Sequence, residues 1–121
     1  KEVSRIRGIE MNQIQIHLKP LSVNEAWKGR RFASPKYKKF TKDVMLLLPN
    51  HYEIPDGKLG IRIEAGLNVR GDLDNVCKPI LDIITKKYGC DDNRFMEVNL
   101  VKKIIKQKSE GYFNFCIWGI V

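Results

Sequence analysis

Residues 59–89, LGIRIEAGLNVRGDLDNVCKPILDIITKKYG, change periodicity halfway along, and that change decides the fold. In the first part Ile61, Ile63, Ala65 and Leu67 alternate with their neighbours, the period of two expected of a strand with a buried face. Arg70 to Asp72 punctuate the chain. Then Leu73, Val76, Cys77, Ile80, Leu81 and Ile84 recur at steps of three and four, one face of a helix that Gly89 ends. A strand therefore runs through a short loop straight into a helix. Pro79 resists this reading, because it has no N–H and its ring crowds the preceding turn, so a late helix start or a slight kink is expected.

Upstream, Ile14, Ile16 and Leu18 alternate as a strand that Pro20 ends. Residues 24–35 mix Gly, Ser and basic side chains as a loop, and Ser34 with Pro35 form an N-cap and first helical position. Tyr37, Phe40, Val44 and Leu47 or Leu48 then make an apolar helical stripe, which Pro49 and Asn50 stop. Downstream, residues 95–101 alternate as a third strand and 112–120 form a fourth, with 106–111 as a hairpin-like turn between them. The pattern predicts one small α+β domain with a mixed four-stranded sheet and two main helices. Met11 reads as a start codon, so residues 1–10 are expected to be a leader or read-through extension and 11–121 the domain.

A chain of 121 residues, 43% hydrophobic, can bury one modest core, and a second subunit is the natural way to enlarge the surface of so small a protein. Lys and Arg total 22 against 14 Asp and Glu, a net charge of +8 that favours a polyanion as partner. The bland alternative is a solvated surface that keeps the chain soluble. Cys77, Cys90 and Cys116 form no C-x-x-C pair and do not cluster with His17 or His51, so they read as reduced thiols, not as a zinc site. Neither a transmembrane run nor a signal-peptide core is visible, which places the expected home in a reducing cytoplasm.

The densest chemistry is Gly71-Asp72-Leu73-Asp74-Asn75, with Lys78, Asp82 and the pair Asp91-Asp92 in the same unit. Phosphodiester hydrolysis requires an activated water and neutralisation of developing negative charge, and a Mg²⁺ held by carboxylates supplies both. Before the helix becomes regular, Asp72 and Asp74 can point the same way while Leu73 turns to the core. Residues 74, 78 and 82 share a helix face, which lets Lys78 approach the same phosphate. The competing reading is structural: an aspartate N-cap, an i,i+4 ion pair and two turn residues. Spacing alone does not choose between them.

The order and spacing of Asp72-Leu73-Asp74-Asn75, Lys78, Asp82 and Asp91-Asp92 resemble the RusA family of Holliday junction resolvases. The likeness extends to the strand from Met11 and the polar segment with Pro20, Ser22 and Asn24, so that it spans about residues 11–103. It implies Mg²⁺-dependent, symmetric nicking of opposed strands at four-way DNA junctions by a homodimer, with Mn²⁺ as a substitute. It further implies that Asp72, Asp74 and Asp92 are the catalytic metal ligands and Lys78 the basic catalytic residue. Asp91 then plays a supporting part and Asn75 orients a metal-bound water, whereas Asp82 is more simply a solvated helix residue.

Basic residues interleave with aromatics in residues 27–40, a combination that can grip phosphates and stack on unpaired bases. Tyr37 and Phe40 also sit on the helix stripe and are better explained as core. Lys28, Arg30 and Arg31, with Arg70 beside the acidic motif, are the expected DNA contacts. Lys102, Lys103, Lys106 and Lys108 either extend the positive surface or protect an edge strand. A non-catalytic nucleic-acid-binding module with the same fold is the alternative function.

Overall fold

The computed structural model describes residues 2–6, 9–22, 27–28 and 32–121. Strand β1 (Glu2–Ile6) pairs with β2 (Ile9–Ile16), and two short strands, β3 (Trp27–Lys28) and β4 (Phe32–Ala33), pair with each other. Helix α1 (Pro35–Leu47) precedes β5 (Leu59–Leu67), α2 (Leu73–Tyr88), β6 (Phe95–Ile104) and β7 (Tyr112–Gly119).

The four strands expected from periodicity form the mixed sheet β2-β7-β5-β6, and β1 continues it beyond β2. Residues 2–6, read from the sequence as part of a leader, pair antiparallel with 9–13 as that added strand. Strands β5 and β6 run parallel because α2 carries the chain back between them, while β7 lies antiparallel to both β2 and β5. The expected hairpin between the third and fourth strands is overturned: β7 leaves the edge strand β6 and inserts on the far side of β5. Burial explains the choice. Phe113, Phe115 and Ile117 of β7 are nearly inaccessible to solvent, a position only a central strand offers.

Both helices cover one face of the sheet. Ile61 and Ile63 of β5 and Phe113 and Phe115 of β7 meet Phe40 and Val44 from α1 and Ile80, Ile83 and Ile84 from α2. Of the two candidates at the end of α1, Leu48 enters the core and Leu47 faces out. Ser34 caps α1 by accepting the Tyr37 N–H at 3.1 Å. Gly89 closes α2 with φ of 65°, a left-handed conformation glycine adopts without strain.

Helix α2 does not start late. It begins at Leu73, and Pro79 is buried inside it as a packing residue. The proline removes the helical donor for the Asn75 carbonyl, and packing of the apolar face offsets that loss. The other sheet face carries a polar group. Glu64 accepts from Tyr112 Oη at 2.8 Å, Asn114 Nδ2 at 3.3 Å and Arg62 Nη2 at 3.3 Å. Gly66 lies against the Tyr112 ring so closely that a Cβ there would come 2.4 Å from a ring carbon.

A candidate active site at the start of helix α2

The acidic motif sits where β5 hands over to α2, and local hydrogen bonds fix its shape. Asn68 Oδ1 accepts the Arg70 N–H at 3.0 Å, and the Gly71 N–H donates to the Asn68 carbonyl at 2.9 Å, which turns the chain sharply. Asp72 is the N-cap: Oδ1 accepts the Asp74 N–H at 3.2 Å and Oδ2 accepts Asn75 Nδ2 at 3.2 Å. Beneath the turn Ala65, Leu67 and Val76 are buried together with Leu73 packed against them, so a small apolar cluster anchors the motif from below. Leu73 goes to the core side, as expected from its neighbours.

From the side, Lys102 of β6 donates to the carbonyls of Val69 at 3.0 Å and Gly71 at 2.5 Å. Read from sequence as surface charge or edge protection, Lys102 instead staples the site loop to the sheet. Two carbonyls in a turn have no strand partner, and a lysine reaching across satisfies both.

The predicted residues divide between two neighbouring surfaces. Asp72, Asn75 and Arg70 line a cleft of about 510 Å³. Asp74, Lys78 and Asp82 follow one another along the adjoining stripe of α2, where Lys78 Nζ donates to Asp82 Oδ1 at 2.9 Å. That hydrogen bond, more than the negative charges of Asp82 and Asp92 nearby, raises the Lys78 pKa above the ordinary lysine value. Asp91 caps the short turn 92–94 by accepting the Asn93 N–H at 3.2 Å. Of the pair, Asp92 is the one whose charge reaches Lys78, whereas Asp91 acts on Cys90.

The donor chemistry suits Mg²⁺, which takes hard oxygen ligands and is commonly held by one or two carboxylates with water and substrate phosphate completing the shell. A closed protein cage is not present: among the described residues no three Asp, Glu, His or Cys side chains gather to hold an ion. The motif is therefore an open set of carboxylates on two faces. The cysteines take no part. All three are unpaired thiols, and burial followed by the Asp74 charge pushes the Cys77 thiol up, away from the nucleophilic thiolate.

Among the described residues, Arg70 lines the cleft as one of four cations; the others are Lys19, Lys106 and Lys108. Lys19 escaped the sequence reading, since a single lysine after a strand carries no signal of its own. Arg30 and Arg31 lie outside the described residues, as does the Lys28 side chain; Lys28 itself is in β3. Phe40 is buried and Tyr37 packs against the core, in keeping with their place on the helix stripe. Among the described residues, no helix is long and apolar enough to cross a membrane.

No curated protein matches the chain closely enough to be counted a relative. A family model does, and its reach coincides with the site: described as Endodeoxyribonuclease RusA, it matches residues 19–110, from Lys19 at the cleft, through the acidic motif and Asp92, to the turn that carries Lys108. With well over half its length so matched, the chain belongs to the RusA endodeoxyribonuclease family.

Proposed function

We propose that the protein is a structure-selective endonuclease that resolves Holliday junctions, cutting opposed strands of four-way DNA by paired symmetric nicks as a homodimer in the cytoplasm. The observation that carries this reading is a carboxylate at a helix N-terminus, Asp72, set in the wall of a four-cation cleft in a chain of this family. The cleft cations hold a DNA phosphate against the acidic motif, which the carboxylates alone would repel. Asp72, Asp74 and Asp92 would hold Mg²⁺, or Mn²⁺ in its place, with Asn75 orienting a water. When bound, the ion supplies an activated water and neutralises charge at the phosphorus. Lys78, paired with Asp82 in the absence of DNA, exchanges that partner for the phosphate as negative charge grows there. Asp91 holds the turn that presents Asp92.

The test is cleavage of synthetic four-way junctions by the wild type and Asp72→Asn. Asparagine caps a helix about as well as aspartate, so the variant removes charge and keeps the fold. Cutting is expected to fall at least about 10²-fold while junction binding is retained or tightened. A wild-type protein that leaves every junction sequence intact in Mg²⁺ would sink the proposal. The open arrangement of the acids and the Lys78–Asp82 pair favour one rival, a binding module that uses the acidic motif only as a cap and a surface ion pair. Under that reading Asp72→Asn changes nothing measurable.

A further inference from the structure

We propose that the cleft beside Asp72 is a nucleotide pocket that takes one unstacked nucleotide of the bound DNA next to the cut, and that Asn68 reads its base; this rests on the endonuclease reading above. A cavity of about 510 Å³ falls within the ~300–1,000 Å³ of small-ligand pockets, suited to a single nucleotide and not to a duplex. Its described lining sorts by chemistry. Pro20, Leu67 and Val76 are core residues that reach the cleft only at its floor, and half-buried Ile105 offers the larger apolar contact, so the cleft has a rigid apolar floor against which an unstacked base can lie.

The cations come from three separate parts of the chain: Lys19 after β2, Arg70 before α2, and Lys106 with Lys108 between β6 and β7. Four positive groups around one cavity repel one another, and Asp72 is the single acidic side chain in its described lining. A phosphodiester backbone entering the cleft relieves that repulsion. Phosphate contacts carry no sequence information, so discrimination falls to groups that meet a base edge. Asn68 is placed for this. Its Oδ1 is committed to the Arg70 N–H, which fixes the amide and leaves Nδ2 to donate to a base acceptor.

The experiment uses four-way junctions carrying 2-aminopurine at successive positions flanking the cut, bound by the protein with Ca²⁺ in place of Mg²⁺ to hold off cleavage. Emission at one position is expected to rise several-fold on binding, since stacking quenches this base. The double variant Lys106→Gln, Lys108→Gln should bind junctions about tenfold more weakly, with a salt dependence flatter by about two units of slope. Asn68→Asp keeps the acceptor for Arg70 and loses the donor, so it should shift the preferred base at that position in a randomised junction pool selected by binding. Flat emission at every position, or a wild-type preference in Asn68→Asp, overturns the pocket. A wild type that brightens the probe but never cuts overturns the endonuclease reading instead, and the two failures are thereby told apart.

Discussion

Glu64 and Asp72 are carboxylates eight residues apart on the same β5–α2 unit, yet their surroundings are opposite. Glu64 lies on the sheet and takes three side-chain donors, Tyr112, Asn114 and Arg62, which occupy most of its acceptor sites. Burial by itself would raise its pKa; the three hydrogen bonds together outweigh that and hold it below 4.5. Asp72 is met by its own helix, a backbone N–H and the Asn75 amide, at the wall of an open cleft. A carboxylate held by three donors from neighbouring strands contributes to stability, whereas one tethered by two local bonds beside a cavity has lone pairs facing a ligand.

The comparison breaks most sharply at Asp74. Asp74→Asn is expected to lower junction cutting by about 10²- to 10³-fold with an unchanged melting temperature, read by single-turnover cleavage and thermal unfolding. Normal cutting by this variant would move the acidic motif into the same structural class as Glu64.

Glu64→Gln should do the converse: cutting stays within about twofold, and urea unfolding shows a loss of about 1–3 kcal/mol, because the amide cannot accept all three donors. Its pH dependence follows from the lowered pKa. The stabilisation is fully present above the unfolded-state value near 4.5 and disappears as pH falls through the folded-state value, so the wild type should lose this part of its stability on the acid side and Glu64→Gln should not.

Lys102→Met releases the two loop carbonyls it holds, with an expected drop of about tenfold in cutting and a stability loss of about 1 kcal/mol. Cutting that falls without any loss of junction affinity would mark Lys102 as a positioning residue and not a phosphate contact. The smallest effect belongs to Asp82→Asn. Its ion pair with Lys78 is largely exposed, so unfolding should shift by less than about 0.5 kcal/mol, and a freed Lys78 should leave cutting unchanged or modestly faster. A tenfold loss there would make Asp82 part of the site.

Much of this was legible residue by residue. The caps Ser34, Asp72 and Gly89 act over three or four residues, and the strand and helix faces follow from period two and period 3.6, so local sequence suffices for both. Pro79 does not delay the helix, one of the two outcomes expected of it, because tertiary packing of α2 outweighs one missing hydrogen bond. The division of the acidic residues between the cleft and the adjoining stripe of α2 was not legible, because it depends on which side chains the folded chain leaves facing the cavity, which no spacing encodes.

By itself the sequence determined the two main helices, four of the strands with their buried faces, the polyanion-seeking charge and the concentration of carboxylates at one strand-to-helix junction, whereas β1, β3 and β4 fall in stretches that read as leader and loop. Only the tertiary structure decided that β7 enters beside β5, that Lys102 reaches from the edge strand to hold the site loop, and that Lys19, Arg70, Lys106 and Lys108 surround one cleft. The physical reason is range: periodicity and capping are settled within a few residues, whereas strand order and the meeting of distant cations are settled by which packing buries the most apolar surface.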